Sequence, residues 1–407
     1  MRILFDLSSA QPQGNVVVNG GGEYAFSLLV EFYSFITEKS ADIRIDVIFD
    51  GNKGTNKKVR EFLDNQQISD KDYKNLTQFS QIVNEGTYNL LICPIMYPYY
   101  NQLQINDDIV VVGLIHDLSN FYHNYLTNNY GEFIAGDIRD VIRNAKKRLL
   151  AKRNRQVCLK EHEKLFYLNA NTHIFTVSYF TYYAMKYFLP NCKVEGVHYS
   201  ILKKVEHDAL DEDAFLQQIG VDKKGYFMMS SCSRWAKNNL RVAECIDELI
   251  SSGICEEIGR KKVIMLGCNR SVKNYLKNKL RNLSNFVLLD YVSDSELETL
   301  YEHAYTFIYP SLLEGFGVPP IEAMKHGVLS ICSTSTSIPE ICGNAVLYFD
   351  PYDNDAIKMA LLKTFDQDIY QMKQEEGKKR LQELNDKQIG DMYSLFHKIE
   401  EFVKAKS

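Results

Sequence analysis

Glu314 and Glu322 bracket a turn of Gly315, Phe316 and Gly317 and a pair of prolines in the run SLLEGFGVPPIEAM, residues 311–324. The strand-like FIYPS precedes the turn, and Pro319 or Pro320 suits a first helical position, where a missing amide proton costs nothing. Glycines let a backbone approach a ligand, and a helix start adds amides and partial positive charge, a combination that suits phosphate oxygens. Neither carboxylate helps to hold phosphate. Their chemistry there is to accept hydrogen bonds from hydroxyls, Glu314 from before the turn and Glu322 from the first turn of the helix. A molecule with phosphate between two sets of hydroxyls is a nucleotide sugar. The same residues also read as a tight turn and a glutamate that merely favours a helix N-terminus, and the local pattern leaves both readings open.

The elements that must position these groups follow from hydrophobic pattern. Short apolar runs (RILFDL, IRIDVIFD, LLICPIM, DIVVVGLIHD, HIFTVS, then YFMMSS, KVIMLG, FVLLDYV, FIYPS, VLSICS) alternate with longer segments of helical period. Near-continuous apolar strands separated by helices require a parallel sheet covered on both faces, so the fold class is α/β. The first group of strands ends near KVEGVHYS, and a polar, acidic stretch from Lys203 to Asp213 reads as a linker. The expected domains are 1–202, 203–375 and a helical tail, 376–407, whose Met392, Leu395, Phe396, Ile399, Phe402 and Val403 form one apolar stripe for packing back on a domain.

Bulk properties bound the function. A chain of 407 residues is long enough for two domains of roughly 150 to 200 residues each. With 45% apolar and 24% charged residues it has a soluble globular composition, and no run approaches the roughly eighteen apolar residues of a membrane span. Asp6 interrupts the only apolar run of the start, MRILFDLSSAQ, which therefore reads as a buried strand and not a signal peptide, and the expected location is the cytosol. Nine cysteines without a CxxC pair indicate reduced core thiols. A net charge of −5 argues against a nucleic-acid partner, although Arg143, Lys146, Lys147, Arg148, Lys152, Arg153, Arg155 and Lys160 make residues 141–160 strongly basic.

The stretch from LLDYVSDSELETLYEHAYTFIYPSLLEGFGVPPIEAM through KHGVLSICSTSTSIPEICGNAVLYFDP resembles the donor-binding domain of retaining GT-B glycosyltransferases, specifically glycosyltransferase family 4. Glu314 and Glu322 match that family's two glutamates separated by seven residues. The resemblance implies two Rossmann-like domains facing across a cleft, with the N-terminal one taking the acceptor. It further implies that Glu314 and the backbone of Gly315, Phe316 and Gly317 face the donor sugar and distal phosphate, that Glu322 holds the ribose, and that Tyr291 and Val292 lie near the base. SSCSRWAKNNLRVAEC resembles the family segment that supplies an arginine and a lysine to the diphosphate, which makes Arg234 and Lys237 the candidates, with Arg241 a third because the spacing departs from the commoner pattern. VNGGGEYAFSLL resembles the N-terminal glycine loop, through Gly21 and Gly22, and GLIHDLSNFYHNYL carries His116 at the family's histidine. By themselves three glycines read equally well as a surface turn, and a lone histidine at a strand end is usually structural.

The implied activity is retaining transfer of a hexose from a nucleotide diphosphate sugar, UDP- or GDP-linked, to a glycan, as in bacterial surface-polysaccharide assembly. Positive charge develops at the anomeric carbon and negative charge on the departing diphosphate, and Arg234 and Lys237 would take up the latter without a metal. No Asp-x-Asp stands on a convincing cleft loop, so no metal or other cofactor is expected. Aromatic clusters at 97–100 and 120–126 and the basic stretch suggest a lipid-linked glycan acceptor and peripheral contact with an anionic membrane surface, against the alternative of a solvated basic helix and ordinary core aromatics. A competing reading is a non-catalytic GT-B-shaped subunit that binds nucleotide sugar or glycan for a partner enzyme.

Overall fold

The computed structural model describes residues 1–12, 20–39, 43–118, 160, 163–200 and 209–406. These fall into two compact units, one from the described residues up to 200 together with 387–406, the other from 209–386. The first holds a seven-stranded parallel sheet of β1 (Arg2–Asp6), β2 (Arg44–Asp50), β3 (Ser69–Tyr73), β4 (Leu90–Cys93), β5 (Val110–Ile115), β6 (Thr172–Thr176) and β7 (Val194–Val197), in the order β3-β2-β1-β4-β5-β6-β7. The second holds six parallel strands, β8 (Tyr226–Met229), β9 (Lys262–Leu266), β10 (Phe286–Leu289), β11 (Thr306–Tyr309), β12 (Leu329–Ser333) and β13 (Leu347–Phe349), in the order β10-β9-β8-β11-β12-β13. The inner strands β4, β5, β8, β11 and β12 are buried along their whole length, as sheets covered on both faces demand.

Strand order reverses once in each sheet, between β1 and β4 and between β8 and β11. At such a switch point the loops beyond the carboxyl ends of two neighbouring strands diverge and leave a crevice for a ligand.

The stretch read as a linker is in part structured. Asp211 accepts the amide of Ala214 and caps a helix at Glu212–Gln218, whose Phe215 and Leu216 enter the second unit's core. A 40-residue helix, Gln367–Lys406, closes the chain. Its early residues bind the second unit, where Arg380 donates to the carbonyls of Ile341 and Glu340 at 2.8 and 2.7 Å. Its later residues Leu395, Phe396, Ile399 and Val403 are buried among Phe5, Phe32 and Phe35 of the first unit. No helix among the described residues is long and apolar enough to cross a membrane, and the eight cysteines among them are free thiols.

Candidate functional site

The second sheet's switch point carries most of the residues singled out above. Beyond β8 the chain bends through Ser231, held at φ +56°, into a short 3-10 turn at Trp235–Lys237. Beyond β11 it runs through Pro310 to Glu314. The two loops are stitched together: the Leu312 amide donates to the Ala236 carbonyl at 2.8 Å, and the Ser311 hydroxyl to the same oxygen at 3.3 Å. Lys237 Nζ therefore meets Glu314 Oε1 at 2.5 Å, with side chains only 10% and 14% exposed. A second Lys237 hydrogen bond goes to the Tyr309 hydroxyl at 3.2 Å.

The turn after Glu314 is held from behind. Its amide donates to the Thr336 hydroxyl at 2.9 Å, while the Ser337 hydroxyl donates to the carbonyls of Glu314 and Phe316 at 3.1 and 2.8 Å. Gly317 sits at φ +107°, a conformation that L side chains rarely adopt, and it turns the chain into the helix Val318–Lys325. Sequence reasoning assigned nothing to Thr336 and Ser337. Their signal was the polar run STSTS, 333–337, between a buried strand and the Ile338–Cys342 helix.

Two details differ from expectation. The helix opens on Val318, so Pro319 and Pro320 follow the first position and supply no amide to an anion there. Glu322 is the fifth helical residue, in the second turn, because the helix begins before the prolines. Its carboxylate is paired with Lys325 at 2.9 Å, and burial still pushes its pKa above the ordinary value, with Lys325 opposing. Glu298, paired with His326 at 2.7 Å, lies close enough to raise it further.

The other candidates in this unit divide by burial. Arg234 precedes the 3-10 turn with an exposed side chain and forms no ion pair among the described residues. Arg241 is buried, donating to Asn354 Oδ1 at 3.0 Å and to the Tyr352 carbonyl at 3.3 Å. Tyr291 is 76% exposed beyond β10, and Val292 packs on the core. Ser293 caps the helix Asp294–His303 in a capping box with Glu296.

In the first unit, Gly21 and Gly22 lie within the described start of the helix Gly20–Lys39 and do not form a loop ahead of it. A Cβ at Gly22 would stand 2.5 Å from the Ser9 carbonyl oxygen, so the glycine is required by close packing of the helix on the chain beyond β1. His116 follows β5, with Nε2 2.9 Å from the Pro94 carbonyl oxygen and its ring edge-on to Tyr24 at 4.6 Å. Burial pushes its pKa down, with the Pro94 carbonyl opposing. His198, fully buried beyond β7, lies 6.2 Å from Tyr24, and burial pushes its pKa down to about 4. Tyr97 and Tyr99 stack at 5.2 Å, whereas Tyr100 is a core residue whose hydroxyl donates to Asp6 at 2.6 Å. The cluster at 120–126 and, apart from Lys160, the basic stretch at 141–160 lie outside the described residues.

Residues 220–381, which contain the whole Lys237–Glu314–Glu322 constellation, match the family described as glycosyl transferases group 1. The second unit is therefore similar to a glycosyl transferases group 1 domain. Over 82 residues the chain is 49% identical to O-antigen chain mannosyltransferase B of Escherichia coli, a match covering 20% of this chain and 22% of that protein. Over 162 residues it is 30% identical to O-antigen chain mannosyltransferase RfbU of Salmonella typhimurium, covering 39% and 42%. The chain thus spans less than half the length of these two curated relatives. Among solved structures, HepE of Anabaena in complex with UDP and glucose superposes with a TM-score of 0.64 at 13% identity, covering 100% of each chain. WaaG, a glycosyltransferase involved in lipopolysaccharide biosynthesis, superposes with a TM-score of 0.63 at 13% identity, covering 98% of this chain and 99% of that one. The second unit and the sheet that precedes it together have the GT-B fold.

Proposed function

We propose that the chain is a retaining hexosyltransferase that moves a sugar, mannose by the leading of its O-antigen relatives, from a nucleotide diphosphate donor to a glycan of bacterial surface polysaccharide. The observation that carries this reading is the Lys237–Glu314 pair at the switch point of the second unit, directly ahead of the Gly315–Gly317 turn. UDP in HepE supports a nucleotide sugar as donor, and the pair's own chemistry supports where its parts would go.

In this reading Lys237 and the exposed Arg234 receive the charge that gathers on the departing diphosphate, together with the Val318 amide at the helix start. Glu314 accepts from hydroxyls of the transferred sugar and Glu322 from the ribose. Tyr291, Val292 and the backbone around them flank the base. The leaving phosphate itself takes the acceptor proton, so no enzymic nucleophile is required and Glu314 stays a binding group. In this reading the reaction is metal-independent, the cationic side chains of Arg234 and Lys237 taking the part of a metal ion. The acceptor is a glycan, lipid-linked at the cytoplasmic face of the membrane, with residues 141–160 making peripheral contact.

The test is thermal stabilisation by UDP, GDP, ADP and dTDP and their sugar conjugates, with magnesium and with EDTA, followed by transfer of labelled hexose to an O-antigen acceptor. One nucleotide family should raise the melting temperature equally with EDTA, and its sugar should be transferred. Stabilisation without any transfer would favour the non-catalytic subunit, and no stabilisation by any nucleotide would remove the donor site.

A further inference from the structure

We propose that Tyr309 is a positioning residue that keeps the Lys237 ammonium in place when Glu314 turns to its ligand. The inference rests on the transferase reading above. Tyr309 ends β11 and is buried, its ring stacked on that of Phe307 two residues earlier on the same face of the strand, at 5.9 Å. Lys237 Nζ lies 3.2 Å from its hydroxyl oxygen and 5.1 Å from its ring centroid, while the same nitrogen is 2.5 Å from Glu314.

An ammonium has three N–H donors, and Glu314 and Tyr309 take two of them, leaving one for a ligand. If Glu314 accepts from a sugar hydroxyl, the buried Lys237 loses its counter-charge at the moment it has to face a diphosphate. A buried ammonium without a partner tends to give up its proton. The phenol oxygen and the ring face supply attraction that does not depend on Glu314. Burial, reinforced by Glu314, keeps the hydroxyl protonated, so Tyr309 accepts from the ammonium without adding a negative charge that would compete with phosphate. A second carboxylate in that place would hold Lys237 as firmly and cancel its pull on the leaving group.

The experiment is a cycle of Tyr309→Phe, Lys237→Met and the double variant, read as kcat and donor KM across pH with the donor found above. Tyr309→Phe retains the ring and loses the oxygen. Its kcat should fall roughly tenfold to a hundredfold with KM nearly unchanged, as for loss of a hydrogen bond to a charged group. The double variant should be no worse than Lys237→Met. An unchanged kcat in Tyr309→Phe, or losses that multiply in the double variant, would overturn the role. A wild-type chain that transfers no sugar from any donor defeats the transferase reading and this role with it. Wild-type turnover with multiplying losses defeats the role of Tyr309 alone. Should Tyr309→Phe fail to fold, the Lys237 ammonium signal of 15N-lysine-labelled wild-type protein, assigned by its loss in Lys237→Met, gives the answer with UDP or GDP at saturation. Slow proton exchange is expected, and exchange as fast as that of surface lysines would overturn the proposal.

Discussion

Lys237 and Glu314 are 77 residues apart in sequence and 2.5 Å apart in space, because their loops leave neighbouring strands on either side of the point where strand order reverses. A pair this enclosed resists removal of one partner more than removal of both. Glu314→Gln and Lys237→Met should each lower stability by roughly 3 kcal/mol in urea unfolding, and the double variant should recover much of the loss. Two single variants as stable as the parent would show that the pair is solvated.

If Glu322 holds the ribose as proposed, Glu322→Ala should weaken binding of the nucleotide diphosphate by roughly 2 to 4 kcal/mol, measured by calorimetry, since a carboxylate accepting from two hydroxyls would be lost. The pKa of Glu322 is raised, chiefly by burial, so its acceptor form disappears on acidification earlier than that of a surface glutamate. Affinity should therefore begin to fall, as pH drops, above the ordinary glutamate pKa. An affinity that stays flat down to the ordinary glutamate pKa would argue against this residue as the ribose acceptor.

Gly22→Ala places a methyl group 2.5 Å from a backbone oxygen, where the neighbour has no flexible end to move aside. The expected cost is about 1 to 3 kcal/mol of stability by overpacking. Gly20→Ala, whose Cβ would meet no atom of the described residues within 4 Å, serves as the comparison and should cost far less.

His198 is neutral and buried in the native state, with a pKa pushed from 6.5 to about 4 by burial, with His116 and Lys387 adding and the Asp391 backbone opposing. Unfolded chains bind a proton at this residue below pH 6.5 while the native protein does not until about pH 4. Stability should thus decline between those two values, by on the order of 3 kcal/mol in total, and His198→Phe should flatten that part of the profile. An unchanged slope in the variant would assign the acid loss to other groups.

Much of the fold was legible because inner strands of a doubly covered sheet are apolar at every position, as in LLIC of β4 and TFIY of β11. Edge strands lack that signature. Ser69–Tyr73 reads SDKDY and buries only Tyr73, so nothing in its composition announces a strand, and β7 is only half-buried. In the candidate site the two glutamates and the glycine turn stand together in sequence and could be read as a unit. The partnership of Lys237 with Tyr309 and Glu314 could not, since only the adjacency of β8 and β11 creates it. The burial of Arg241 against Asn354 was equally hidden, because the two residues stand 113 positions apart in sequence.

The closing helix bears on how the protein comes to be folded during synthesis. Leu395, Phe396, Ile399 and Val403 complete the hydrophobic interior built by strands near residue 5 and the helix around residue 32. The ribosome delivers them after the entire second unit has emerged. The first-made sheet must therefore wait, with an apolar face uncovered, until that helix has been made, and its exposure to chaperones and to aggregation is set by the time needed to read the roughly two hundred intervening codons.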